Sequence, residues 1–406
     1  MKLLWAILPL ALAVACGKKG GKSHHPETDE NLSFFESPNS VFPYRSTTPH
    51  KEELQKCIFG IEQATSCRVE ELPLLGLASR PITVNDILDR TMVSHTYLGD
   101  SFRDVLTVLD PNVYRMFSGV AAIVISDRIN PSFFNADTAT IYLSARYFWR
   151  NAAERPATGP VDPRVAFSQS IFRFLLDSEY IVDGQYAFFS PTTNRPPAVM
   201  KRYVARILFH ELAHANDFYP PATLVGGDYP RHKTYYQLTD VVLSSRGRLS
   251  DHLPTQPRSE LMKQVEMARQ TGEAADGLAE SATAQAVVSE FRDDVVTDTY
   301  GYYSSLEDGA MLVEEALMYH YFGATRVVAV IRLTPTGQVD HPNPDALYWA
   351  QAGRIFKSDI APRAGHLLEK IFDARFSEQV TGRMVHKRPR TFPEGVTWEQ
   401  IRQAEL

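Results

Sequence analysis

The sequence predicts an α+β fold, on three observations along its 406 residues. Two runs rich in β-branched and aromatic residues, "VAAIVISDRI" (120–129) and "TATIYLSARYFW" (138–149), read as strands. A stretch free of breakers, "PPAVMKRYVARILFHELAHANDFYPP" (196–221), reads as one long helix. From Glu260 onward "ELMKQVEMARQ" and "GLAESATAQAVVSEFRDDVV" continue in helical pattern. The expected architecture is a mixed sheet packed on the 196–221 helix, with a largely helical C-terminal part. At 44% hydrophobic and 22% charged, the chain has the composition of a globular protein with ample core. A net charge of -6 leaves no basic excess and argues against a nucleic-acid partner.

The elements follow in order. Residues 1–15 open with one lysine and an apolar run from Leu3 to Ala15, too short to span a bilayer and suited to a secretory signal. Ala13 and Ala15 before Cys16 resemble a bacterial lipoprotein signal, which implies cleavage before Cys16 and a lipid on its thiol. Gly17 after that cysteine favours the outer membrane of a diderm envelope. Residues 16–50, rich in Gly, Lys, Ser, Pro and Asn, read as a flexible tether; His24 and His25 within it read as solvated. An exported chain meets an oxidising compartment, so Cys57 and Cys67, ten apart, are expected to form a disulfide.

Residues 51–195 form the N-terminal part and hold the two strand runs. Between them lies "NPSFFNADTA", full of turn formers, so the strands are read as neighbours or as a hairpin. Residues 196–375 form the part that carries the chemistry. Pro196 and Pro197 suit a first helical turn, and Val199, Tyr203, Ile207, His210 and His214 recur at helical spacing. Residues 221–257 look loop-rich, and a further helix runs from about Leu306 to a stop at Gly323. Residues 376–406 are assigned as a peripheral tail.

The long helix contains His210-Glu211-Leu212-Ala213-His214. Histidines four apart lie one helical turn apart and can face one ion, with Glu211 beside them. For this composition the His-Glu-x-x-His pattern arises by chance roughly 0.04 times, so it is treated as a zinc site and not as two solvated histidines. Zinc polarises a carbonyl and lowers the pKa of water, and an adjacent carboxylate can take the water's proton. The pattern resembles the zincins, which implies a zincin-like metalloprotease fold, peptide substrates, one Zn²⁺, His210 and His214 as ligands, and Glu211 as general base.

Two histidines do not complete such a site. Asp217 and Pro220 stand where metzincins place glycine and their third ligand, which points to a glutamate on a later helix: Glu290, Glu307, Glu314 or Glu315. Glu290 with Asp294 resembles the Glu-x-x-x-Asp helix of thermolysin-like enzymes. "YGYYSSLEDGAM" (300–311) resembles the second half of the site in anthrax lethal factor and the Pro-Pro endopeptidases. That resemblance implies Glu307 as third ligand and Tyr300, seven residues before it, as donor to the transition-state oxyanion. Met311 stands where those enzymes carry a second glutamate, and Glu314 lies one further turn along the same face. The competing reading of Glu307 is a helix cap three residues after Ser304, that of Tyr300 a packed aromatic, and that of Asp217 a helix-end or outer-sphere carboxylate.

Together these readings predict a lipid-anchored envelope metalloprotease. The alternatives are an envelope binding or assembly protein with a structural or vestigial zinc site, and a zinc hydrolase of peptidoglycan stem peptides.

Overall fold

The computed structural model describes residues 34–155, 171–188, 194–224, 229–272 and 277–404. The signal segment, Cys16, His24 and His25 lie outside the described residues.

The chain is α+β, and its described residues form two five-stranded sheets rather than one. The first has the order β1-β2-β3-β5-β4, formed by β1 (Phe42–Pro43), β2 (Thr91–Val93), β3 (Ala122–Ser126), β4 (Phe133–Asn135) and β5 (Thr140–Ser144). The two predicted strands, β3 and β5, are neighbours but run parallel. The hairpin is made instead by β4, inside the turn-former stretch, antiparallel to β5. Phe133 stacks on Tyr142 across that pair with ring centroids 4.6 Å apart, a cross-strand contact that rewards this register.

The second sheet is antiparallel throughout, in the order β10-β9-β8-β6-β7. Its strands are β6 (Phe174–Val182), β7 (Gln185–Tyr186), β8 (Thr325–Arg332), β9 (Trp349–Ala352) and β10 (Arg390–Phe392). Here the expected boundaries give way. β6 comes from the 51–195 segment yet pairs with β8, a strand from beyond residue 320. The supposed peripheral tail supplies the edge strand β10, while Val380, Met384 and Ile401 are fully buried. At the other end, residues expected in the tether belong to the fold: Phe34 is buried against Phe59 and Tyr142, and Phe42 and Pro43 pair with β2. Polar composition hid both segments because a few aromatic and aliphatic anchors, paired with distant partners, hold them.

The predicted 196–221 helix spans Pro197–Phe218, with proline in its first turn, where no N–H is needed. Every residue from Leu208 to Tyr219 is buried. Such a helix is held by packing on all sides, about 1.5–3 kcal/mol for each large apolar side chain such as Leu208 or Leu212. It lies against β4 and β5 on one side and along the Ser305–Phe322 helix on another, and the latter reaches β8. The short helical segment Pro111–Gly119 also packs on it. A Cβ on Gly119 would stand 2.7 Å from the Ala215 carbonyl oxygen, so only glycine permits that approach. The Ser305–Phe322 helix ends at Gly323 with φ 63°, the left-handed stop its sequence predicts. Cys57 and Cys67 are disulfide-bonded. Among the described residues no helix is long and apolar enough to cross a membrane.

Candidate metal centre

The two central helices bring His210, His214 and Glu307 together. Glu307 Oε2 lies 3.0 Å from His210 Nε2 and 3.4 Å from His214 Nε2, and the two histidine nitrogens are 3.3 Å apart. Ligands of a tetrahedral zinc, bonded at 2.0–2.2 Å, stand about 3.4 Å from one another. The cluster therefore fits one metal ion. Burial disfavours a charged His210, but hydrogen bonds to Glu307 and Glu314 outweigh it and raise its pKa to about 10. Burial likewise opposes ionisation of Glu307, yet the two histidines hold it well below the usual carboxylate range.

The competing reading of Glu307 as a helix cap is met only in part. The Ser304 hydroxyl accepts the Glu307 backbone N–H at 3.3 Å, so Ser304 does cap the helix. The Glu307 carboxylate does not return to close a capping box; it faces the histidines. Glu290 is exposed on the Ala284–Asp293 helix, away from the cluster. Its companion Asp294 accepts the backbone N–H groups of Arg258 and Ser259 and the Tyr302 hydroxyl, a structural role. Asp217 accepts both the N–H and the hydroxyl of Ser250 at 2.7 Å, pinning the turn beside the helix end.

Glu314 takes a place one shell out. Its Oε2 is 3.0 Å from His210 Nδ1, the nitrogen on the far side of the ring from Glu307. A carboxylate there fixes the ring's orientation and tautomer. Glu314 Oε1 in turn accepts from Arg206 Nε, Arg326 Nη1 and the Tyr180 hydroxyl at 3.0–3.1 Å. Burial works against its charge, but Arg206, His210 and Arg326 hold it ionised. Arg326, on β8, also donates to Asp298 at 2.8 Å, and Asp298 accepts the backbone N–H of Tyr300. One buried guanidinium thus joins the support of His210 to the turn that carries Tyr300. Glu315 lies 3.8 Å from the same Arg326; burial raises its pKa to about 8.

A cavity of about 510 Å³ reaches this cluster at His210. His210, Glu211 and Tyr300 line it, with Phe174 and Leu176 of β6 on one wall and Pro131 and Ser132 on another. Glu211 is buried, and its Oε2 makes no hydrogen bond. Burial raises this carboxyl to about 7, against the pull of the two histidines. An unsatisfied buried carboxylate oxygen is costly and calls for a functional account. Tyr300 stacks on His210, with ring centroids 6.2 Å apart and planes 20° apart. Of the predicted residues, the structure thus brings together His210, Glu211, His214, Tyr300 and Glu307. Sequence reading missed Arg206 and Arg326, since an arginine carries no motif of its own. A basic residue four before His210 was the one local signal available.

Comparison with known protein families, curated proteins and solved structures finds no match to this chain.

Proposed function

We propose that the chain is a zinc-dependent peptidase, tethered to a bacterial envelope through lipidated Cys16. One observation carries this reading: three ligand atoms converge on one point, and the cavity that reaches them at His210 also holds Glu211, a buried carboxylate with an unsatisfied oxygen. A structural zinc site has no use for such a carboxylate. Bound zinc would be held by His210, His214 and Glu307 and would supply Lewis acidity at the scissile carbonyl.

The remaining work falls to the chain itself. Glu211, whose Oε2 has no protein partner, takes a proton from the attacking water and returns it to the departing amine. Tyr300 donates toward the developing oxyanion from the His210 side of the cavity. Glu314 holds His210 in place through Nδ1. Along β6, residues Phe174–Ile181 pair with β8 on one side, while on the other only Ile181 and Val182 pair with β7. Among the described residues, Phe174–Glu179 have no strand partner on that edge, and Leu175, Leu176 and Asp177 line the cavity wall. An extended peptide can add there as a further strand.

The test is cleavage of a broad peptide library by the purified full chain, with and without chelator, beside the Glu211→Gln protein. Cleavage that chelator abolishes and zinc restores, and that is absent in Glu211→Gln, is expected. Bound zinc with no cleavage across the library would overturn the reading.

A further inference from the structure

Among the described residues that line the cavity, Arg206 is a cation with both Nη groups uncommitted. Arg206 lies one helical turn before His210 on the same helix, and its side chain is 37% exposed while lining the cavity with His210, Glu211 and Tyr300. Glu314 fixes its position: Oε1 accepts Arg206 Nε at 3.1 Å and Oε2 lies 3.0 Å from His210 Nδ1. The same carboxylate therefore sets both the candidate metal ligand and the guanidinium. The Phe188 ring supports the guanidinium at 5.4 Å. Among the described residues, neither Nη group of Arg206 has a hydrogen-bond partner, and Glu179 of β6, within its electrostatic reach, makes no hydrogen bond to it.

The other two arginines among the described lining residues are held differently. Arg326 commits Nε to Asp298, Nη1 to Glu314 and Tyr180, and Nη2 to Ser178. Arg269 is anchored through Nη1, to Glu266 at 2.6 Å and to Thr299, whereas Arg206 is anchored through Nε and keeps both Nη groups for a ligand. A guanidinium held by its Nε presents two parallel N–H groups, the geometry that grips a carboxylate through both oxygens. In a partly enclosed cavity that grip is stronger than on an open surface.

We propose that Arg206 reads a carboxylate on the substrate, close to the scissile bond, so that the site takes anionic peptides in preference to neutral ones. This rests on the peptidase reading above. The carboxylate can belong to an acidic side chain or to a free C-terminus, and Arg206 sees the same chemistry in both.

Peptide pairs that differ only in Glu against Gln, at each position of a short scaffold, are bound to the zinc-loaded Glu211→Gln protein, which holds peptides without cleaving them. Each pair is made with a free and with an amidated C-terminus. Zinc content is measured in every protein, and the readout is the ratio within a pair, so any general loss transmitted through Glu314 cancels. A carboxylate at one fixed position, or at the terminus, is expected to tighten binding about 10- to 100-fold, the range for a charge-assisted pair. Adding Arg206→Gln should bring that ratio close to one, and Arg206→Lys should keep part of it. Loss on amidation assigns the group to the C-terminus; persistence assigns it to a side chain. A ratio near one with Arg206 present, or one that survives Arg206→Gln, overturns the proposal. If the Glu211 protein cleaves no peptide while the binding ratio stands, the peptidase reading alone falls.

Discussion

Glu211, Tyr300 and Glu307 make separable demands on the same cavity, and single substitutions can tell them apart. Glu211→Gln keeps the shape and removes the basic oxygen that has no protein partner. Zinc content should be unchanged and turnover should fall about 10²- to 10⁴-fold, the usual contribution of a positioned general base. Near-normal turnover would remove Glu211 from the mechanism. Tyr300→Phe should leave both zinc and KM near their starting values and lower kcat by about 10²-fold, because the donor is used chiefly in the transition state. Glu307→Ala should lose zinc, whereas Glu290→Ala should keep it, since Glu290 is exposed away from the cluster. The reverse outcome, read by metal analysis after dialysis, would return the site to the thermolysin-like arrangement. His210, Glu211 and His214 were legible in the sequence because all three lie within one helical turn. Glu307 needed a resemblance to be found, since 92 residues separate it from His214.

Between elements, the site depends on contacts no local pattern announces. Arg326 sits on β8, whose run "TRVVAVIR" reads as a strand but says nothing of a buried charge satisfied by Asp298 and Glu314. Glu314→Gln should weaken zinc binding about 10- to 100-fold by loosening His210, as loss of an outer carboxylate does elsewhere. Arg326→Gln should weaken it by a similar route, and the losses in the double variant should be less than additive, because both residues act through one chain of contacts. Chelator competition measures all three proteins, and strictly additive losses would break that chain. The segments misread from sequence fail for the same physical reason. Residues 34–50 and 386–392 are polar by composition, and their places are fixed by a few pairings with strands far along the chain. The parallel β3–β5 pairing, in place of a simple hairpin, likewise depends on β4 folding out of a stretch rich in turn formers.

At the scale of the whole molecule, the site sits where the two sheets' helices meet: the His210 helix packs on the first sheet, and the Glu307 helix reaches the second. This places four carboxylates, Glu211, Glu307, Glu314 and Glu315, in buried surroundings together with two histidines. Metal-free, His210 holds a proton up to about pH 10, and a zinc ligand must be neutral. Zinc binding at neutral pH should therefore release about one proton, and apparent affinity should weaken about tenfold for each unit the pH falls between about 8 and 6. Calorimetry in buffers of different ionisation enthalpy reads that proton; zinc binding without proton release would contradict the charge balance described for the cluster. The most direct measurement of the central claim is a crystal structure of the zinc-loaded full chain with anomalous data collected at the zinc edge. The account predicts one strong peak bonded by His210 Nε2, His214 Nε2 and a Glu307 carboxylate oxygen, with Glu211 beside it and outside the bonding shell. A peak held by Glu290, Glu314 or Glu315 in place of Glu307, or no peak between the two histidines, would contradict it.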